Sequence, residues 1–351
     1  MQHEKNFINY ALFVSFFPQL VAGPIERSKN LLPQFRKKHS FSVEHTEEGL
    51  RIILIGMFKK IVIADMLAMF VDTVFQNCYE YTGLTLLCSI FMFTIQIYCD
   101  FSGYSDVARG SAKIFGFELM ENFKTPYLSA SIKEFWSRWH ISLSTWFKDY
   151  VYIPLGGGKN GFFKKLRNIM IIFLISGLWH GAKITFLIWG ALHGFYRILE
   201  ELIWNKMKEC KEGKIKRSIK IAFTFVLVML TWTFFRAESL NQGIYILVHS
   251  IKGISWHSFA DEYIHIVAQI MPEKHGMVEV YLILTGIAIL FLFYMDWIYK
   301  YKNQRVETII AGQSTIVRWV FYYAMIIAVM FSFVMTTNEF GQAGAFLYFQ
   351  F

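Results

Sequence analysis

Charge is scarce in this chain. Of its 351 residues only 17% are Asp, Glu, Lys or Arg, while 55% are hydrophobic, and mean hydropathy is +0.37. A soluble protein of this length needs more polar surface, so a string of soluble domains is excluded. Cysteine is scarce too: Cys78, Cys88, Cys99 and Cys210 have neither paired nor metal-ligand spacing. That pattern argues against a disulfide framework and against a bound metal. There is no internal repeat and no low-complexity linker, so one domain over residues 1–351 is expected. No cleavable leader is expected either. The start Met-Gln-His-Glu-Lys is polar, and the apolar run from Phe7 to Phe17 leads into Pro-Gln rather than a small-residue cleavage site.

Apolar stretches of about 17 residues or more, the length needed to cross a bilayer, are what recur instead. The expected fold is all-α: a polytopic integral membrane protein of seven or eight membrane helices, with re-entrant segments around an intramembrane tunnel. The net charge of +9 is gathered in short blocks at residues 36–38, 159–167, 206–220 and 300–305. Such blocks mark cytoplasmic loops by the positive-inside rule. No basic face interleaved with aromatics accompanies them, which excludes nucleic acid as a partner. The bilayer is the expected partner.

Hydropathy and the basic blocks together trace a path. Residues 6–22 read as a short membrane segment and 27–49 as cytoplasmic. Residues 50–75 could span, but Lys59, Lys60 and Asp65 interrupt them, so they lie in the interface or line the interior. Residues 84–117 begin as a strong span and turn polar near Tyr98. Residues 126–154 are too polar for lipid and too aromatic for a solvated loop, and are expected to be re-entrant or deeply interfacial. Residues 166–178 form a helical run of 13 residues, about 20 Å. That is too short for a ~30 Å core and would leave Trp179-His180-Gly181 at depth, on the tip of a broken helix. Residues 183–204, 219–235, 280–299 and 317–335 complete the path. Residues 238–278 lie mostly outside, and so does the C-terminus.

Two histidines in this apolar setting are the candidate chemistry. Ionisable groups at membrane depth are costly and tend to be functional, and histidine moves protons near neutral pH. His180 stands between Trp179, a flat apolar wall, and Gly181, which permits a tight turn. A neutral, desolvated imidazole there can accept a proton; a core histidine bonded to a neighbouring helix is the plainer alternative. His140 follows Arg138 and Trp139 and precedes Ser142 and Ser144. On a continuous helix residues 134, 138 and 141 share a face, pairing Glu134 with Arg138. His140 either orients substrate or the first histidine, or belongs to a polar network pinning the segment. His193 reads as structural. Asp100, Asp106 and Arg109 read as mutually neutralising charges. Gly156-Gly157-Gly158 lacks the Gly-Lys-Ser/Thr of a phosphate loop and reads as a hinge at the cytoplasmic edge. His257, His265 and His275 are expected on solvated surface.

Several runs, taken together, resemble the membrane-bound O-acyltransferase (MBOAT) family, in its alginate O-acetyltransferase branch. They are Phe16-Phe-Pro-Gln-Leu-Val-Ala-Gly-Pro-Ile25, Leu32-Pro-Gln-Phe35, Phe58-Lys-Lys-Ile-Val-Ile-Ala-Asp65 and Tyr98-Cys-Asp-Phe-Ser-Gly-Tyr-Ser-Asp106. They continue through Phe135-Trp-Ser-Arg-Trp-His-Ile-Ser-Leu-Ser-Thr-Trp-Phe147, Asp149-Tyr-Val-Tyr-Ile-Pro-Leu-Gly-Gly157, Ser176-Gly-Leu-Trp-His-Gly-Ala182 and Tyr348-Phe-Gln-Phe351. The Tyr-Ile-Pro-Leu-Gly-Gly run resembles this branch more than the teichoic-acid D-alanylation branch. The Phe-Phe-Pro-Gln motif stands closer to the N-terminus than is usual there, so the chain looks like an N-terminally shortened member.

The resemblance implies that His180 is catalytic, with His140 as the second functional histidine. It implies transfer of an acyl group, acetyl in this branch, from acetyl-CoA or another thioester donor to a hydroxyl, with no permanently bound cofactor. It further implies an exported polysaccharide such as alginate as acceptor, an extracytoplasmic acetyltransferase as partner protein, and the cytoplasmic membrane as location. Two other readings stay open: a transporter or channel whose polar segments line a conduction path, and an inactive remnant of such an enzyme.

Overall fold

A computed structural model of the protein describes residues 4–159, 161–204, 213–270 and 278–336. Cys210, His275 and the Tyr348-Phe-Gln-Phe351 run lie outside the described residues. Every regular element within them is helical, as the long apolar runs lead one to expect.

Helix α1 (Phe7–Ser15) is capped by Asn6, whose Oδ1 accepts from the amides of Ile8 and Asn9. Its nine residues rise only about 13 Å, so the expected membrane segment over residues 6–22 is not a span. The chain turns at Pro18, which has no amide for a helix. Gly23 then folds back so tightly that a β-carbon on it would stand 2.3 Å from the Pro18 carbonyl oxygen. Helix α2 (Ser28–Phe35) follows, and its Leu31 and Phe35 pack with Phe16 and Phe117.

Helix α3 (Val43–Met57), capped by Ser42, passes through a π-helical stretch, Phe58–Asp65, into α4 (Met66–Gln76). The charges that interrupt this run face inward. Lys59 pairs with Asp106 at 2.7 Å, and Lys60 bridges Asp65 at 2.7 Å and Asp100 at 2.6 Å. Of the two expected placements, lining the interior is therefore the observed one. Asp100 and Asp106 sit on α5 (Gly83–Ile114), 32 residues long and the central strut of the fold. The charges of its polar second half are all neutralised: Asp100 and Asp106 by lysines of the π-helical stretch, Arg109 by Asp106 and Glu121, and Lys113 by Glu48 and Glu118.

Residues 126–154 are partly helical, with α6 (Ile132–Trp136) and α7 (Ile141–Phe147) as short pieces. Glu134 and Arg138 do pair, at 3.0 Å. The common helical face expected for residues 134, 138 and 141 is not there, however, because α6 ends at Trp136 and the chain bends before α7.

Helices α8 (Phe162–His180) and α9 (Ile184–Trp204) form a tight hairpin. At 19 residues, about 28 Å, α8 is longer than the expected run of 13, so the argument from a short helix to the depth of His180 does not hold. The basic block belongs to the helix rather than to a loop, since Lys165 pairs with Glu201 of α9 and Arg167 bonds the Asn168 side chain. Close approach of the hairpin depends on Gly190, where a β-carbon would stand 2.3 Å from the Phe173 carbonyl oxygen.

Helices α10 (Lys214–Arg236), α11 (Leu240–His249), α12 (Trp256–Ile270), α13 (Val278–Lys302), α14 (Val306–Ala311) and α15 (Thr315–Thr336) complete the chain. Among the described residues four helical stretches are long and apolar enough to cross a membrane: Gly83–Ile114, Lys214–Arg236, Ile283–Lys302 and Thr315–Thr336. The protein is thus an all-helical, multi-pass membrane protein. With α8, α9 and the α3–α4 run, which are long but carry charge, these four make seven long helical stretches among the described residues, within the expected seven or eight. One apolar core runs from Ile55 to Val329, so the late helices share it with the early ones.

Candidate active site

His180 is the last residue of α8, and the α8–α9 hairpin turn directly follows it. Aromatic rings pack against its imidazole: Trp179 at 4.9 Å, Trp189 at 5.2 Å and Phe235 at 5.2 Å between centroids, all three steeply inclined to it. Trp189 and Phe235 are themselves almost fully buried. These rings hold the imidazole edge to face without enclosing it, since His180 is partly exposed and Trp179 is 52% exposed.

His140 reaches the same place from the bend between α6 and α7. Its backbone is left-handed, with φ +42° and ψ 54°, a conformation costing a non-glycine residue roughly 1–2 kcal/mol. The side chain is 4% exposed and packs edge-on against Phe101 at 4.6 Å. Trp179 stands beside it, 6.4 Å between centroids. The two histidines, 40 positions apart in sequence, thus share one aromatic wall, and each lies within electrostatic reach of the other. Nδ1 of His140 is buried with no hydrogen-bond partner among the described residues. An unsatisfied buried polar atom costs about 1–3 kcal/mol and calls for an explanation.

The bend is held from outside. Ile141 donates its amide to the Asn122 carbonyl at 3.0 Å, and Ser142 donates its amide to Asn122 Oδ1 at 3.2 Å. Ser144 Oγ donates to the Trp139 carbonyl at 3.2 Å, and Glu200 of α9 accepts the amides of Ile132 and Lys133 at the start of α6. Glu121, next to Asn122, is fixed by Arg305 at 2.5 Å, Arg109 at 3.4 Å and the Tyr299 hydroxyl at 2.9 Å. Burial pushes its carboxyl up, but Arg305 and Arg109 outweigh this and hold it below the usual glutamate value.

His193 is fully buried and fully bonded. Trp136 Nε1 donates to its Nδ1 at 3.3 Å, so Nε2 carries the proton and donates to Thr231 Oγ1 at 3.1 Å. Thr231 Oγ1 in turn donates a hydrogen bond to the Val228 carbonyl at 2.7 Å. This is the structural role expected for His193. Asp106 and Arg109 pair as expected, 3.2 Å apart, whereas Asp100 is neutralised from outside this group by Lys60 at 2.6 Å. His257 is exposed beside Asp261, and His265 is exposed as well. The Gly156-Gly157-Gly158 turn is pinned rather than loose, since Asn168 Nδ2 donates to the carbonyls of Leu155 and Gly157 at 3.1 and 3.0 Å.

Residues that spacing could not reveal are Phe101, Asn122, Trp189 and Phe235. They come from four different parts of the chain and meet the histidines only in the fold. Trp189 and Phe235 look like ordinary apolar helix positions, and Asn122 like a loop residue.

The chain is similar to known proteins of one family. The profile of "MBOAT, membrane-bound O-acyltransferase family" matches residues 2–239, which include both histidines. The chain is 45% identical over 237 residues to a probable alginate O-acetylase of Pseudomonas putida, covering 68% of this chain and 48% of that protein. It is 39% identical over 255 residues to a peptidoglycan O-acetyltransferase of Helicobacter pylori, covering 72% and 48%. A teichoic acid D-alanyltransferase of Bacillus subtilis is 29% identical over 245 residues, covering 66% and 61%. The chain spans about half the length of the first two of these relatives. On the extent of the profile match and these identities, the chain belongs to the membrane-bound O-acyltransferase family.

Proposed function

We propose that the protein is an O-acyltransferase of the cytoplasmic membrane that moves an acetyl group from a thioester, such as acetyl-CoA, to a hydroxyl of an exported polysaccharide. The observation that carries this reading is the convergence of His140 and His180 on Trp179 among aromatic rings. The names of the two relatives that are O-acetylating enzymes support the acetyl group and the glycan acceptor. Pairing of the buried Asp100 and Asp106 with lysines speaks for a structural use of those charges rather than a conduction path.

In this mechanism neutral His180 takes the proton of the acceptor hydroxyl as its oxygen attacks the thioester carbonyl. His140, one nitrogen unengaged, donates to or orients the carbonyl oxygen as negative charge builds on it. The tetrahedral intermediate collapses, the carbon–sulfur bond breaks, and the thiolate recovers the proton from His180. Atoms balance as ester plus thiol. Base catalysis is worth about 10²–10⁴-fold, and positioning among the rings adds to it. Residues 1–351 act as one unit, since α13 and α14 brace the loop that holds His140. An extracytoplasmic acetyltransferase receives or directs the acetyl group on the far side.

The test is incubation of purified protein with labelled acetyl-CoA and glycan. Transfer or thioester cleavage that depends on His180 supports the reading. Solute flux in proteoliposomes without any thioester turnover would replace it with a transporter.

A further inference from the structure

Helix α7 begins without a cap of its own. The N-cap position of a helix normally carries Ser, Thr, Asp or Asn, whose side chain accepts one of the free amides of the first turn. Here that position is His140, whose side chain makes no such bond. The amide that would be orphaned, that of Ser142, is taken by Asn122, 20 residues upstream, at 3.2 Å. Asn122 is 1% exposed, and its Nδ2 donates to Ser105 Oγ of α5 at 3.2 Å, which sets the amide's orientation. Its carbonyl accepts the Ile141 amide, so the residues on the C-terminal side of His140 are clamped twice.

Asn122 itself belongs to a strap tied on both sides. Gln34 of the Leu32-Pro-Gln-Phe35 run exchanges two bonds with Glu118, at 2.8 and 2.9 Å, and Arg305 holds Glu121. Lys124 donates its amide to the Arg138 carbonyl at 3.0 Å, which secures the bend just ahead of His140. A loop residue fixed this firmly has a purpose beyond closing a loop.

We infer that Asn122 is a positioning residue for His140: it caps α7 from outside, so that the imidazole at the N-cap position is released from capping and held toward Trp179 and the candidate active site. The division of labour is physical. A side chain cannot both cap its own helix and serve a substrate, and the left-handed backbone of His140 would relax if the clamp were lost. This inference rests on the proposed acyl transfer for its kinetic test, but its geometric claim can be read without turnover.

The experiment compares wild type with Asn122→Ala, Asn122→Asp and Ser105→Ala, purified with native-like thermal unfolding, on labelled acetyl-CoA. Loss of the clamp in Asn122→Ala lowers kcat by about 10- to 10²-fold, the scale of an ångström of misplacement, with KM changed less than about 2-fold. Asn122→Asp keeps the acceptor for Ser142 and recovers most of the rate. Ser105→Ala loses less than Asn122→Ala, and it stands in should that variant not fold. The second readout is the ring ¹⁵N spectrum of histidine-labelled protein. The His140 signals, assigned by their absence in His140→Gln, move in Asn122→Ala while those of His193 stay in place. Wild-type protein inert toward acetyl-CoA would overturn the proposed function and leave the spectrum to decide on Asn122. Unmoved His140 signals, or an unchanged kcat in active protein, would overturn the positioning role.

Discussion

Thr231 accepts the Nε2 proton of His193 at 3.1 Å inside the core, and this single bond completes the only two hydrogen-bonding valences that the imidazole has. A histidine bonded at both nitrogens has none left for a substrate. Thr231→Val should therefore strand a buried donor and cost about 1–3 kcal/mol of stability. Activity per folded molecule should stay close to wild type, and His193→Ala should affect transfer less than changes at His180 or His140. Thermal unfolding in detergent together with kcat at matched folded protein checks both.

His180, set among aromatic rings at the end of α8, is the candidate base. His180→Ala and His180→Gln are expected to insert and fold while O-acetylation falls by at least about 10²-fold, the low end for losing a general base. His140→Ala should also impair transfer, in part through weaker positioning. Acetyl ester content of the exported glycan, measured at matched protein levels, is the readout. Near-normal acetylation in a well-expressed His180→Ala strain would sink the mechanism.

Lys59 and Asp106 test the interior charge network. Both side chains are almost enclosed, at 12% and 11% exposure. Removing one partner leaves the other charge buried, which costs about 3–5 kcal/mol, whereas an apolar pair of similar volume can be neutral. Asp106→Ala should sharply lower the unfolding temperature, and Lys59→Met with Asp106→Leu should regain much of it. A double variant no better than the single one would mean that the ions do more than neutralise each other.

Gly190→Ala should loosen the α8–α9 hairpin. Its new methyl would meet the Phe173 carbonyl, and overpacking of this kind costs about 1–3 kcal/mol. His180 sits at the tip of that hairpin, so transfer should decline with stability. Wild-type stability and rate in this variant would show that the helices can separate freely.

Orientation follows from the basic blocks. With Cys88 replaced by serine, an impermeant thiol reagent should reach Cys210 only from the cytoplasmic face, and a tag after Phe351 should be accessible only from outside. A tag protected on the cytoplasmic side would reverse the path of the last helices.

Long apolar runs determined that this protein is helical and membrane-embedded, because backbone in lipid must bond internally and runs of that length suit helices, whereas a barrel needs short alternating strands. Local motifs singled out His140 and His180, since an ionisable group in apolar sequence stands out against its neighbours. Helix ends were less legible: α1 stops at a proline turn where hydropathy runs on, and α8 absorbs a basic block because Glu201, 36 residues away, neutralises Lys165. Sequence spacing also could not tell a bonded histidine from an unengaged one. The partners of His193, Trp136 and Thr231, lie 57 and 38 positions from it, and the capping residue beside His140 lies on a separate strap. Whether an imidazole is satisfied depends on which atoms come within about 3 Å of it, and only the packing of distant helices decides that.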